Sequence, residues 1–361
     1  MTGDAVDPPP TGEQSDPAIP VTVLTGFLGS GKTTLLNRLL GHPGMADTAV
    51  LINEFGETGI DHLLVRTLDE TTVLLNSGCL CCTVREDLVT ELRDLFRKRA
   101  KAEVPPFRRV VIETTGLADP APILHTLMTD LVLANRYRLD GIVTCIDAVH
   151  GVGQLDQHSE AVKQAAVADR IVLTKTDIAD DAATDGLAKR LASLNPAAPR
   201  VRARLGDVNP RDILDAGLFK VESKIAEVED WLRAEAYAAV PHDHAHHRHH
   251  DVNRHDDRIV AFCMTVEDAL PWDRFVEWIE MLIATQGERL LRIKGVLDIE
   301  GEPMPVAVHG VQHVFHPPAV LDHWPSGPKR SRLVVIARDI GATAIKETFE
   351  AFVERRVLPD A

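Results

Sequence analysis

A glycine-rich segment near the N-terminus limits the folds open to this chain. Residues 26–33 read G-F-L-G-S-G-K-T, which is the spacing G-x-x-x-x-G-K-[ST], between an apolar run and a helical pattern. Glycines let successive backbone N–H groups turn toward phosphate oxygens, and the following helix adds a partial positive charge at its N-terminus. Lys32 is expected to reach the β- and γ-phosphates, and the Thr33 hydroxyl to ligate Mg²⁺. The segment predicts a P-loop protein that hydrolyses a nucleotide.

Short apolar runs alternate with helical stretches after this loop. They are rich in Val, Ile and Leu and mostly lack polar alternation, as in parallel strands covered by helices on both faces. Predicted strands are residues 21–25, 49–53, 73–76, 110–114, 142–147 and 170–174. Predicted helices are residues 32–40, 85–101, 122–129 and 160–168. The expected fold is α/β, a P-loop NTPase domain with a doubly wound, mostly parallel sheet over residues 19–236.

The remaining residues have a different composition. Residues 1–18 are acidic and Pro-rich, without the basic and apolar regions of a secretory signal, and are expected to form a disordered tail. Residues 237–257 contain a histidine run that cannot build a core, so they are predicted to be a linker. Residues 258–361 return to strand and helix patterns, with an amphipathic helix at 272–285 and a last helix at 343–355. A smaller C-terminal α+β domain is expected there.

Charge and cysteine content narrow the functional classes. The formal net charge of −15 argues against non-specific binding to nucleic acid or to an anionic membrane. No apolar run is long enough to cross a bilayer. Of the five cysteines, three are clustered, which does not resemble a disulfide framework and favours the cytoplasm.

A second phosphate-side signal lies at residues 110–116, V-V-I-E-T-T-G. A buried strand delivers Glu113 to its C-terminal end, where ligands bind in open α/β sheets. Glu113 is expected to hold or tune the Mg²⁺, and the Gly116 N–H to sense the γ-phosphate.

The base is predicted to be guanine from residues 174–177, T-K-T-D, after an apolar strand. The Asp177 carboxylate can accept hydrogen bonds from N1–H and the 2-amino group of guanine, and adenine has neither donor. Lys175 is expected to pack on the base or cradle the loop. The usual guanine motif begins with Asn, and Thr174 takes that place here.

The sequence C-L-C-C at residues 79–82 suggests a metal site. Thiolates of Cys79, Cys81 and Cys82 can converge on one soft cation, and Zn²⁺ readily takes such ligands in a tetrahedron. The fourth position is left for water, a carboxylate, an imidazole or a partner's ligand. The alternative is a set of small buried cysteines at a helix start. The imidazoles of the histidine run can also bind such metals, which predicts that this segment buffers metal with low specificity.

Taken in order, these motifs resemble the CobW-type metallochaperone GTPases. The resemblance extends from residue 19 to the end and includes L-I-N-E-F-G-E at 51–57 and H-G-V-Q-H at 309–313. It implies a cytosolic GTPase that binds GTP, Mg²⁺ and Zn²⁺ and serves a client metalloenzyme. It places Glu54 and Glu57 in a segment that senses the γ-phosphate.

Three sets of residues make up the predicted site. The residues expected to contribute to hydrolysis are Lys32, Glu54, Glu57 and Glu113. The residues expected to contact nucleotide are Gly26, Gly29, Ser30, Gly31, Lys32, Thr33, Thr34, Gly116, Thr174, Lys175 and Asp177. Metal ligands are expected at Cys79, Cys81 and Cys82 for Zn²⁺, and at Thr33 and Glu113 for Mg²⁺.

Several functions remain open from the sequence. The same family includes GTPases serving cobalt, iron or nitrile-converting enzymes, and thiolate sites also take Co²⁺ and Cu⁺. A P-loop small-molecule kinase would place its acceptor on the second domain. A passive metal-storage or regulatory protein would use GTP only as a signal. Homodimer formation is also left open.

Overall fold

The chain forms two sheets, as seen in a computed structural model that describes residues 18–53, 73–77, 84–214, 258–325 and 327–354. Residues 1–17 of the tail predicted at 1–18, and the whole histidine linker, lie outside these residues. Within them, no helix is both long and apolar enough to cross a lipid bilayer.

The first sheet is parallel throughout and has the strand order β3-β2-β4-β1-β5-β6-β7. Its strands are β1 Ile19–Gly26, β2 Thr48–Asn53, β3 Val73–Ser77, β4 Arg109–Glu113, β5 Tyr137–Asp147, β6 Arg170–Thr174 and β7 Arg200–Arg202. Its helices are α1 Lys32–Leu40, α2 Val84–Ala100, α3 Ala121–Thr129, α4 Leu131–Ala134, α5 Gly151–Gln157, α6 Ser159–Val167, α7 Asp181–Leu194 and α8 Pro210–Ile213. Strands such as β1 and β5 are buried along nearly their whole length, because helices cover both faces.

The second sheet is antiparallel, with the order β11-β10-β9-β13-β8 and with β12 paired to β10. Its strands are β8 Ile259–Val266, β9 Leu290–Leu297, β10 Val306–Val311, β11 Val314–Phe315, β12 Ala319–Val320 and β13 Ser331–Arg338. Two helices, α9 Trp272–Gln286 and α10 Ala342–Phe349, cover one face. Both expected architectures, the doubly wound parallel sheet and the α+β unit, are confirmed.

The other face of the second sheet packs on the first domain. Leu291, Val334 and Ile336 belong to the same apolar cluster as Ala161 and Ala165 of α6. The two sheets therefore share a core through α6, which lies between β5 and β9.

The C-terminal helices differ locally from the sequence-based expectation in one place. The sequence predicts the last helix over residues 343–355; in the structure α10 ends at Phe349 and a π-helical turn follows at Glu350–Glu354. In the amphipathic α9 the buried face contains Phe275, Ile279 and Leu282, as the spacing predicted.

Candidate nucleotide-binding site

The P-loop connects β1 to α1 and takes a shape that only glycine tolerates at two positions. Gly26 has φ +143°, and a Cβ there would lie 2.4 Å from the Cys145 carbonyl oxygen. Gly31 has φ +86° and precedes α1 without a side-chain cap. The N–H groups of the first turn of α1 are thus presented to the loop, which is the arrangement that binds phosphate.

Lys32 is the cation of this loop. Its side chain is nearly buried, and Nζ donates to the carbonyl oxygens of Gly26 at 2.9 Å and Phe27 at 3.2 Å. The ammonium group therefore lies over the loop, where the phosphates of a nucleotide would approach.

Thr33 and Glu113 meet at the mouth of the loop. The Thr33 hydroxyl donates to Glu113 Oε1 at 2.9 Å, and Glu113 is buried at the C-terminal end of β4. The parallel register pairs Glu113 with Leu24 of β1 and Ile52 of β2, which fixes its height in the sheet. A hydroxyl and a carboxylate at this distance are the hard oxygen donors that suit Mg²⁺, so the residues present fit this ion.

The loop after β4 packs directly on the P-loop. A Cβ on Gly116 would lie 2.7 Å from the Cα and backbone nitrogen of Leu28, so only glycine fits. Thr114 donates from its hydroxyl to the Thr25 hydroxyl at 2.9 Å, which joins the ends of β4 and β1. Gly116 thus lies beside the predicted γ-phosphate position.

The T-K-T-D segment reaches the P-loop from β6. The Thr174 hydroxyl donates to the Ser30 carbonyl oxygen at 2.6 Å and also lies 3.2 Å from the Ile146 carbonyl oxygen. Thr174 therefore ties the base-side loop to the phosphate loop through backbone oxygen atoms.

Two neighbours orient the charged residues of that segment. Lys175, at φ +58°, donates to Asp147 Oδ2 at 2.7 Å. Burial alone would raise the pKa of Asp147, but hydrogen bonds from Lys175 and from the N–H groups of Val149 and His150 hold it below its usual range. Asp177 accepts a hydrogen bond from the Leu205 N–H at 3.0 Å, which keeps its pKa low.

These elements enclose a cleft of about 510 Å³. It is lined by Ile52, Lys175, residues of the P-loop and α1 start, and residues 113–117. Of the predicted set, the residues that line it are Gly29, Gly31, Lys32, Thr33, Thr34, Glu113, Gly116 and Lys175. Gly26, Ser30, Thr174 and Asp177 are not among its lining residues.

Other predicted residues lie outside the part of the chain that the structure describes: Glu54, Glu57, Cys79, Cys81 and Cys82. Within the described part, no group of three or more His, Cys, Asp or Glu residues could hold a metal ion.

Two residues of the site were not singled out from the sequence. Asp147 ends β5 and orients Lys175; its position at the end of a buried strand was a usable signal. Gln164 lies fully buried on α6 and donates to the carbonyl oxygens of Gly116 at 3.2 Å and Ala118 at 3.0 Å. A lone glutamine in a helix gives no sequence signal for such a contact.

Family models match most of the chain. The model for the CobW/HypB/UreG nucleotide-binding domain matches residues 20–202, and that for the cobalamin synthesis protein cobW C-terminal domain matches residues 259–353.

Individual relatives match the chain over different lengths. The zinc chaperone YjiA of Escherichia coli (strain K12) is 33% identical over 332 residues, which cover 92% of this chain and 98% of that protein. The zinc-regulated GTPase metalloprotein activator 1 of Schizosaccharomyces pombe is 35% identical over 215 residues, or 57% of this chain and 51% of that protein. The crystal structure of Zn(II)-bound YjiA GTPase from E. coli superposes with a TM-score of 0.68 at 30% identity, covering 93% of this chain and 99% of that one.

Proposed function

The chain is a GTPase metallochaperone of the CobW family, and we propose that it takes up Zn²⁺ at Cys79, Cys81 and Cys82 and delivers it to a client metalloprotein. In this proposal residues 19–236 form the GTPase domain, residues 237–257 a histidine-rich linker that buffers metal, and residues 258–361 the second domain. The family relationship and the arrangement of three strand ends support it.

Hydrolysis of GTP is assigned to the cleft around the P-loop. Lys32 would bind the β- and γ-phosphates, and Thr33 and Glu113 would hold Mg²⁺, which when bound neutralises charge that develops on the phosphates. Glu54 and Glu57 are proposed to act next to the γ-phosphate. The loop around Gly116 is close enough to the P-loop to be displaced or ordered by a third phosphate.

Guanine selectivity is assigned to Asp177, with Thr174 and Lys175 in support. The Leu205 N–H fixes one oxygen of the Asp177 carboxylate, and Thr174 holds the segment against the P-loop. A carboxylate presented in this way would lose two hydrogen bonds if adenine replaced guanine, which costs about 1–3 kcal/mol or more.

The observation that carries the metal assignment is the register of β2, β3 and β4. Asn53, the last residue of β2, pairs with Ser77, the last residue of β3, and Ile52 pairs with Glu113 of β4. The chain therefore leaves β2 one residue before Glu54 and leaves β3 two residues before Cys79, at the same edge of the sheet as Glu113. This shared register supports a proposal in which the cysteine motif acts on the same side of the sheet as Glu113 and the P-loop.

A small-molecule kinase and a GTPase metallochaperone would use the second domain differently. A small-molecule kinase would bring its acceptor to the γ-phosphate from that domain. Among the described residues, those that line the cleft all belong to the first domain, between Leu28 and Lys175. This arrangement favours the GTPase metallochaperone over the kinase.

Zinc affinity tests the metal site. We expect Cys81→Ala combined with Cys82→Ala to weaken Zn²⁺ binding by more than about 100-fold. Mutation of residues that only hydrogen-bond to metal ligands already lowers metal affinity by about 10–100-fold, and here two ligands are removed. GTP binding should remain intact, because neither thiol belongs to the P-loop. The measurement is competition for Zn²⁺ against a chromophoric chelator, alongside titration with fluorescent GTP.

Cys263→Ala serves as the matched control, since that half-buried thiol lies on β8 of the second domain. It should leave Zn²⁺ affinity unchanged. Equal loss of zinc and GTP binding in the double variant would instead make the cysteine cluster a structural element.

A further inference from the structure

The loop at residues 114–119, which carries Gly116, is held from several sides. On one side Gly116 rests against the backbone of Leu28 in the P-loop. On the other, the Gln164 amide of α6 donates to the carbonyl oxygens of Gly116 and Ala118. A displacement of this loop must therefore break contacts with α6 or move α6 with it.

The end of the loop touches the second domain. Gln312, in the tight turn between β10 and β11, donates from Nε2 to both Asp119 carboxylate oxygens at 3.3 and 3.1 Å. Asp119 also accepts a hydrogen bond at 3.0 Å from the N–H of Ala121, the first residue of α3. Its carboxylate lies 3.6 Å from the Lys163 Nζ of α6. Asp119 thus joins the loop, α3, α6 and the second domain at one carboxylate.

The second domain also contacts the chain just after the C-terminal end of α6. Asp169, two residues after α6 ends, is buried and accepts hydrogen bonds from Arg292 and from Lys294 Nζ, the latter at 2.6 Å. Both cations lie on β9, two residues apart, and so share one face of the strand. The second sheet consequently fixes α6, and with it Gln164, independently of the contact at Asp119.

We infer that Gln312 and Gln164 are positioning residues for GTP hydrolysis, through which the second domain sets the place of the loop that carries Gly116. The inference rests on the proposed use of this cleft for GTP. The contacts act on the loop and not on the nucleotide, so they should govern turnover more than nucleotide affinity. They would also let a client that binds the second domain change the rate of hydrolysis.

The test is Gln312→Glu in the full chain. Glutamate has the same length, so the backbone at φ +52° keeps its shape, but the donor to Asp119 becomes a second carboxylate. We expect kcat for GTP to fall about tenfold, since misplacing a group near the reaction costs up to about 10²-fold. The affinity for GDP should change by less than about twofold, because the P-loop is untouched.

Rescue separates positioning from a general loss of interface stability. Asp119→Asn combined with Gln312→Glu reverses donor and acceptor, while the Asn oxygen can still accept from Ala121. The double variant should restore kcat to within about threefold of wild type. If the two substitutions acted independently, their separate losses in kcat would combine and the double variant would be slower than either single variant. Gln157→Glu adds the same charge at an exposed end of α5 and should leave kcat unchanged.

Two outcomes have different meanings. If wild-type chain hydrolyses GTP in a Lys32-dependent way and Gln312→Glu does so equally fast, the inference is wrong and the GTPase assignment stands. If wild type has no Lys32-dependent turnover, the GTPase assignment itself fails and takes the inference with it. If Gln312→Glu folds poorly, Gln312→Asn replaces it in the same measurement of kcat. Asparagine tolerates the left-handed backbone, but its side chain is too short to reach Asp119.

Discussion

Thr174 shows how one substituted residue in a motif can keep a structural role. The usual asparagine of this position is replaced by a buried threonine whose hydroxyl reaches the Ser30 carbonyl oxygen at 2.6 Å. The neighbouring Gly31 would place a Cβ 3.5 Å from the Thr174 side chain. A short side chain therefore fits between β6 and the P-loop and connects base recognition to phosphate binding.

Removing that hydroxyl should affect both stability and nucleotide binding. Thr174→Val keeps the shape but leaves backbone carbonyl oxygens in the core without this donor, at a cost of about 1–3 kcal/mol in the free energy of unfolding. GTP affinity should fall several-fold, because Ser30 is part of the P-loop. Urea denaturation and fluorescent GTP titration measure the two effects.

Thr184→Val is the control, because the Thr184 hydroxyl donates within α7 to the Asp180 carbonyl oxygen. It should lower stability without changing GTP affinity. A Thr174→Val variant that binds GTP as tightly as wild type would refute the proposed link.

At the scale of elements, periodicity predicted the long apolar strands well and missed the short edge strand β7. The predicted strands at residues 110–114 and 170–174 match β4 and β6 within one residue. Strand β7, Arg200–Arg202, has no apolar run, because it lies at the sheet edge with its two arginines exposed. Helix α7 was missed although Leu187, Leu191 and Leu194 have helical spacing and Asp180 caps it.

Contacts between elements distant in the chain could not be predicted. Arg292 and Lys294 alternate with apolar residues on β9, a pattern typical of a strand with one face in water. Their face is instead covered by the first domain, and their counter-ion Asp169 lies more than 120 residues earlier. Sequence patterns record which residues are polar, but not which other element covers them.

The same interface contains two buried histidines, His309 and His316, with rings stacked at 4.6 Å. Burial, with Arg292 and Lys294 nearby, lowers the pKa of His316 to about 4, and burial also holds that of His309 well below its usual value. Asp169 is a carboxylate whose burial would raise its pKa, but Arg292 and Lys294 outweigh this and lower it to about 2.

These shifts predict acid sensitivity in a defined window. In the unfolded chain a histidine has a pKa near 6.5, whereas the pKa of His316 in the folded chain is about 4. The free energy of unfolding therefore falls as the pH decreases from about 6.5 to about 4. From about pH 7 to about pH 5 the protonation of His316 should remove about 2 kcal/mol of the free energy of unfolding, and His309 shifts it in the same direction. The stabilisation from Asp169 is present above its unfolded pKa and is lost only as the pH falls toward 2, below this window.

Urea denaturation at both pH values measures the effect in wild type and in His316→Gln. The variant should lose less stability on acidification, and His313→Gln, at an exposed site in the turn before β11, should behave as wild type. If His316→Gln and wild type lose the same free energy, protonation of this histidine does not limit folding.

At the scale of the whole molecule, the chain combines a GTPase cleft, a thiol motif at the adjoining strand ends and a second domain that holds the loop beside the cleft. If GTP and metal sites bias the same loops, their affinities are coupled, and linkage requires each ligand to change the affinity of the other by the same factor. Such coupling would let the nucleotide decide when metal is held and when it is released to a client.

We propose that metal at the cysteine motif controls GTP hydrolysis. The direct measurement is GTP turnover of purified chain without metal and with buffered stoichiometric Zn²⁺, repeated with Co²⁺ and Ni²⁺, with Lys32→Ala defining the background. We expect Zn²⁺ to change the turnover of wild type, and the change to vanish when Cys79, Cys81 and Cys82 are all replaced by alanine. Turnover that ignores every metal, or that responds equally in the triple variant, would contradict the claim.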